Sequence, residues 1–420
     1  MNFFNYRDDE LYAENVSVRS IAKKVGTPCY LYSYRTIERH FRVFEEPFKD
    51  VPHVVCYSVK ANSNLSLLRL LSSWGSGMDV VSGGELKRAL KVGCDHKKIV
   101  FSGVGKSKEE IQLALESDIL MLNVESREEL DLINATAREM NMKAPIALRV
   151  NPDIDAKTHP HITTGLRKNK FGIGFDQAYA EYRYAMKLLH VEIVGMDCHI
   201  GSQLTELAPL VAAAQKLKEL ICALRKYDLH IQYLDVGGGL GITYNAEEPP
   251  HPTEYGKAIL DVLKDLNVTL VFEPGRVIMG NAGILVTEVQ FTKKTPDREF
   301  LIVDAGMNDL IRPALYNAYQ KILPIVQASG QGHGKVKTYD VVGPICESGD
   351  FLGRERELPH LKRGDLVAVM SSGAYGFSMA SNYNTRPKIA EVLVRDDEFH
   401  IIRERETFED LIKHEKMLEL

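Results

Sequence analysis

At 420 residues the chain is too long for one ordinary compact domain and natural for two. Its 45% hydrophobic and 26% charged residues give a globular, soluble composition, and a net charge of −5 offers no basic surplus for nucleic acid. Its six cysteines lack metal-type spacing, which fits core thiols at Cys56 and Cys198, a reducing cytoplasm and no metal site.

In chain order, the opening MNFFNYRDDELYAENVS has no long apolar core and reads as neither signal peptide nor membrane anchor. The segment through PCYLYS is strand-like; the pattern alone leaves open whether it pairs with the central region or with the β domain that follows it. From Val54 to Gly275, eight strand-like runs alternate with helical ones: VVCYSVK, GMDVV, KIVFSG, ILMLNV, PIALRVNP, VEIVGMDCHIG, IQYLDVGGG and TLVFEPG. One helix, SREELDLINATAREMNM, spaces Leu130, Ile133 and Ala137 on a single face, with Ser126 and Glu129 placed for a capping box. Eight strands alternating with helices predict a (β/α)8, TIM-like barrel. The competing open sheet with a dinucleotide site is disfavoured, because GGGLG does not match that fingerprint and follows a late strand. Beyond about Gly280, GILVTEVQFTKK, REFLIVDAG, KTYDVVGPI, DLVAVMSSG and PKIAEVLV read as strands broken by turns. The expected division is a barrel over residues 36–279 and a C-terminal mostly-β domain over 280–420, joined by 1–35.

In such a barrel the active site forms at the C-terminal strand ends. Lys60, Asp79, Arg149, His199, the glycines Gly237 to Gly239 and Glu273 all fall near such ends. A lone lysine at a strand end ordinarily snorkels into solvent. In this company, a partly desolvated lysine amine suits a Schiff base with an aldehyde cofactor. Glycines between strand and helix let backbone amides approach a phosphate ester, and Gly275 and Arg276 are placed to complete that cup. Glu273 beside a pyridine nitrogen would keep it protonated and make the ring a strong electron sink; its alternative is a loop carboxylate paired with Arg276. His199 is placed to stack on the ring face, and Ser202 to donate to the phosphate. These residues together predict a pyridoxal 5'-phosphate enzyme.

CYSVKAN, GMDVVSGGEL, HIGSQ, DVGGGLG, FEPGR, GPICESGD and GAYGFSMASNYNTRP, in that order over nearly the whole chain, resemble the diaminopimelate decarboxylase family of fold-type III pyridoxal phosphate enzymes. The resemblance implies decarboxylation of meso-2,6-diaminopimelate to L-lysine and CO2, the last step of lysine biosynthesis. It implies that Lys60 carries the cofactor, and that His199, Gly239 and Glu273 to Arg276 form its shell. It implies that Arg276, Arg312 and Tyr316 grip the distal carboxylate, that Cys346 donates a proton, that Glu347 reads the distal ammonium, and that Tyr375 contacts both ligands. It further implies a homodimer whose active sites borrow Cys346 and Glu347 from the second subunit. A substrate with a second amino acid group needs both a cationic clamp and an anion, and Arg276, Arg312 and Glu347 supply them. Decarboxylases of carboxynorspermidine, ornithine or arginine are the nearest rivals; for a distal amine alone, acidic groups without an arginine pair are expected. A non-catalytic cofactor-binding barrel is the rival of another class, and the β domain with its Cys346 motif argues against it.

Thr158 to Gly174 is a long polar connection of a kind more often functional beside a barrel mouth, and the resemblance implies that it is an active-site lid. His159 and His161 within it lack partners at metal-ligand spacing.

Overall fold

Eight parallel strands close on themselves: His53–Ser58, Gly77–Val80, Ile99–Phe101, Met121–Val124, Ala144–Asn151, Val191–Asp197, Tyr233–Asp235 and Thr269–Phe272, the last pairing with the first. This is the expected TIM-like barrel, and every strand lies within or against its predicted run. The computed structural model describes residues 2–155, 169–327 and 336–419. Most of the expected lid, residues 158–168 with His159 and His161, lies outside them.

The chain divides into two compact units, one of His40–Thr243 and Glu247–Val277, the other of Met1–Arg39, Tyr244–Ala246 and Ile278–Leu420. In the barrel unit, apolar strand residues fill the interior. Val100, Met121, Ala147 and Val271 are fully buried and share one cluster. Aromatic packing fixes the end of the eighth strand. Phe272 stacks on Phe48 with centroids 4.0 Å apart and meets Phe44 and Tyr255 edge-on.

The helix Arg127–Glu139 buries Leu130, Ile133 and Ala137 as its periodicity predicts. Its expected capping box is only half formed. Ser126 accepts from the Glu129 amide at 3.2 Å, but the Glu129 carboxylate turns elsewhere. One oxygen accepts from the Glu125 amide at 2.9 Å, and the other pairs at 2.7 Å with Lys106. The Lys106 ammonium is buried and also donates to the carbonyls of Gly103 and Asn123. A buried lysine needs every hydrogen directed at an acceptor, and this demand outweighs the cap.

In the second unit the strand Gly283–Lys294 is the spine, pairing with Cys29–Ser33, Glu299–Val303 and Leu366–Val369. Cys29–Ser33 pairs on its other side with Ala390–Arg395, so the early strand-like segment belongs to this sheet. Lys337–Val342 is also a strand, as its composition predicts. Phe351–Leu358 and Glu398–Arg403, the sheet's two edges, were not expected as strands. Both carry exposed charged side chains, as unpaired edges require, and that masks their alternation. Among the described residues no helix is long and apolar enough to cross a membrane.

Candidate active site

Lys60 sits in a 3-10 turn, Val59–Ala61, directly after the first barrel strand. Its Nζ lies 2.6 Å from Oδ2 of Asp79 on the neighbouring strand, with the lysine side chain 35% exposed and the aspartate fully enclosed. Ser58 Oγ stands 2.8 Å from the same Asp79 oxygen and 2.9 Å from the Glu273 carbonyl. The first, second and eighth strands are thereby tied at their C-terminal ends.

Glu273 follows the eighth strand and is buried. Ser102 Oγ lies 3.2 Å from Oε1 of Glu273, and Asn123 donates to Ser102 at 3.0 Å. Burial first, then the negative charges of Asp235, Asp79 and Asp197, push the Glu273 carboxyl well above the ordinary range; Lys60 opposes this. Arg149, on the fifth strand, donates to Glu125 at 2.6 Å and stands 3.7 Å from Asp197. Its guanidinium also lies over the Phe171 ring at 4.9 Å.

His199 accepts from the Gly238 amide at Nδ1, 3.2 Å away, which places its ring proton on Nε2. Burial, with the positive charges of Arg149 and Lys60, holds the imidazole well below its usual value, so the ring is neutral. Ser202 Oγ accepts from both Nε and Nη2 of Arg276, at 3.2 and 3.0 Å. Those bonds use acceptor capacity and leave the hydroxyl hydrogen to donate.

The glycine run is demanded by crowding between strand ends. A Cβ on Gly238 would lie 2.1 Å from the Glu273 carbonyl oxygen, and Gly239, at φ +109, leaves a Cβ only 2.5 Å from that of Gly201. Pyridoxal phosphate fits this donor set: an amine at Lys60, a carboxyl at Glu273, a flat neutral ring at His199, and a glycine turn with Ser202 beside it. The residues at strand ends thus converge in one unit.

The remaining predicted residues lie in the β unit. Arg312 and Tyr316 occupy the ends of one short helix, four residues apart and so on one face. Arg312 is buried, its guanidinium 4.6 Å from the centroid of the Tyr244 ring. With its amide oxygen turned inward, Gln320 accepts from Arg312 at 2.8 Å and donates to the Met370 carbonyl at 2.6 Å. Cys346 and Glu347 are exposed. Their loop is nonetheless fixed. Asp350 accepts from the amides of Met307 and Ile345, each at 2.7 Å, and Asn384 accepts from the Cys346 amide at 2.7 Å. Tyr375 holds a left-handed backbone, φ +56.

Sequence reasoning missed Asp197, Asp235, Glu125, Ser102, Asn123 and Tyr244. A signal existed for two of them: Met78-Asp79, Met196-Asp197 and Leu234-Asp235 each set an aspartate behind a buried apolar residue at a strand end. Tyr244 carries no local signal.

A family profile described as the pyridoxal binding domain of pyridoxal-dependent decarboxylases matches residues 34–280. The chain is 53% identical over 420 residues to diaminopimelate decarboxylase of Vibrio cholerae, covering 100% of both. The structure of the Helicobacter pylori diaminopimelate decarboxylase complexed with L-lysine is similar at TM-score 0.90 and 44% identity, over 94% of this chain and 98% of that one. The M. jannaschii diaminopimelate decarboxylase in complex with L-lysine is similar at TM-score 0.93 and 38% identity, over 99% and 98%. By its sequence over the full length, its barrel and its pyridoxal-binding region, the chain belongs to the pyridoxal-dependent decarboxylases, in their diaminopimelate decarboxylase family.

Proposed function

We propose that the chain decarboxylates meso-2,6-diaminopimelate to L-lysine and CO2, with pyridoxal phosphate carried by Lys60. The observation that carries this reading is the Lys60–Asp79 contact of 2.6 Å at the barrel mouth, tied through Ser58 to the strand end bearing Glu273. The bound cofactor supplies an electron sink for the carbanion that loss of CO2 leaves. Glu273 would face the ring nitrogen and favour a proton there. His199, neutral and flat, would cover one ring face and exclude water from it. The amides of Gly239, Gly275 and Arg276, with the Ser202 hydroxyl, would take the phosphate, and Pro274, which has no amide hydrogen, would brace the turn before them. Asp79 holds the Lys60 amine in register, and Arg149 braces the strand ends around Asp197 and Glu125.

At the substrate's far end, Arg276, Arg312 and Tyr316 take the distal carboxylate and Glu347 the distal ammonium, while Tyr375 touches substrate and cofactor. Cys346 returns a proton to the carbon that lost CO2. In this reading Cys346 and Glu347 serve the site of a partner subunit, so the working form is a homodimer, in the cytoplasm. Their exposure in a single chain, on a loop whose backbone is pinned, supports that assignment. The L-lysine complexes of relatives support the product.

The test is CO2 release by the cofactor-loaded protein from meso-diaminopimelate, ornithine, arginine and carboxynorspermidine. Diaminopimelate should be preferred by a wide margin in kcat/KM. Preference for any of the other three overturns the substrate assignment.

A further inference from the structure

Asp197 and Asp235 end the sixth and seventh barrel strands, and Glu273 follows the eighth. One oxygen from each lies within 4.8 Å of the others, and all three side chains are buried. Asp79 faces this cluster from the second strand and Glu125 from beyond the fourth, making five carboxyls. Among the described residues, Lys60 and Arg149 face it as cations. Lys60 is committed to Asp79 at 2.6 Å and Arg149 to Glu125 at 2.6 Å, with Arg149 Nε 3.7 Å from Asp197. The other titratable neighbours are the thiols of Cys56 and Cys198, the Tyr255 phenol and the His199 ring; burial holds the first three protonated and the imidazole neutral.

Asp235 accepts from the Gly237 amide at 2.9 Å through Oδ1, while its Oδ2 has no donor. A Glu273 oxygen lies within 4.8 Å of an Asp235 oxygen, while the Asn123 amide donates to Ser102. Two ionised carboxylates are both acceptors only, so a carboxyl–carboxyl contact in a buried site needs a proton between them. Among the described residues, the two cations that face the cluster are held by Asp79 and Glu125 and do not supply that donor at Asp235. The cofactor's ring nitrogen, cationic when protonated, would face Glu273, which favours ionising Glu273 and leaving the shared proton on Asp235.

We propose that Asp235 is a positioning residue that shares one proton with Glu273 and, when Glu273 faces the cofactor ring, keeps that proton and donates it as a hydrogen bond to the Glu273 carboxylate. Asp235 acts through Glu273 and touches neither substrate nor ring, and its assignment rests on the role given to Glu273 above. Burial, reinforced by the charge of Asp79, lifts the Asp235 carboxyl from 3.8 to about 7; the Gly237 amide, Glu273 and Asn123 oppose the rise. The folded chain therefore binds a proton that the unfolded chain has released between 3.8 and about 7, and stability falls as pH rises across that window.

Two readouts test this without substrate. In cofactor-free protein, Asp235→Asn should gain thermal stability relative to wild type as pH rises through the window, then level off; a difference flat in pH overturns the proposal. In cofactor-loaded wild type near neutral pH, infrared spectroscopy with isotopically labelled aspartate should show a protonated-carboxyl carbonyl band that Asp235→Asn lacks. Burial also lifts the Asp197 and Asp309 carboxyls, so the reading is the wild-type-minus-variant difference, and a difference with no such band overturns the proposal. Turnover adds a third arm. The asparagine amide still donates to Glu273 and its oxygen still accepts from Gly237, so Asp235→Asn should lose about tenfold less kcat than Asp235→Ala. Equal losses in two folded variants count against the proposal, whereas failure to release CO2 from diaminopimelate at all concerns the substrate assignment alone.

Discussion

In the barrel unit, Lys60, Asp79, Arg149 and Glu273 are buried or half-buried and each is held by a short contact, Lys60 to Asp79, Arg149 to Glu125 and Glu273 to Ser102; in the β unit, Cys346 and Glu347 stand in solvent on a loop whose backbone is pinned by Asp350 and Asn384. The first arrangement builds a low-dielectric chamber in which charges act strongly and shift each other's protonation. The second presents side chains outward at fixed positions, which suits groups that complete a site elsewhere. In the proposed function the difference separates chemistry from recognition: the barrel mouth would hold what any decarboxylation on this cofactor needs, and the β unit what distinguishes a substrate with a second amino acid group.

That separation can be broken by substitution. The largest effect is expected at Lys60: Lys60→Ala should abolish turnover and covalent capture of the cofactor by borohydride, and capture in the variant would remove Lys60 from its role. Next is Glu273→Gln, which keeps shape and removes charge. It should retain cofactor and lose roughly 10²–10³ in kcat, the scale of one preorganised electrostatic group. Near-normal turnover there would undo the electron-sink argument. Arg312→Ala should act on recognition instead, raising KM for diaminopimelate roughly 10- to 150-fold, the equivalent of a charged hydrogen bond worth about 1.5–3 kcal/mol, with a smaller change in kcat. If kcat falls and KM holds, Arg312 belongs to the chemistry and the division fails. The smallest effect is expected at Asp350, whose removal leaves two amides without their acceptor. Asp350→Ala should cost about 1–3 kcal/mol in unfolding free energy. It should also lower activity through the Cys346 loop; full activity would mean that loop needs no pinning.

The barrel mouth was legible because it follows from topology. Once eight strands are counted, the residues ending them must share one rim, and Lys60, Asp79, Arg149, His199 and Glu273 are read off directly. The fold was legible for the same reason: apolar runs such as VVCY fill the barrel, and the long GILVTEVQFTKK run forms the β unit's spine. The edge strands Phe351–Leu358 and Glu398–Arg403 were hidden because edges carry charge. The inward acids Asp197 and Asp235 escaped notice because an aspartate before a glycine-rich turn usually signals the turn itself. The substrate-reading residues of the β unit came from family resemblance, since no periodicity places Arg312, Glu347 and Tyr375 around one ligand. Tyr244 was invisible because its partner, Arg312, lies far along the chain.

The central claim, a barrel mouth carrying the chemistry and a β-unit loop completing another copy's site, meets its most direct test in mixed inactive chains. Lys60→Ala and Cys346→Ala proteins would be unfolded and refolded together, and the exchange confirmed with distinguishable tags. Half of the dimers formed are then mixed, each with one intact site of two, so about a quarter of wild-type activity should return. Confirmed exchange with activity no higher than that of the separate variants would contradict the account.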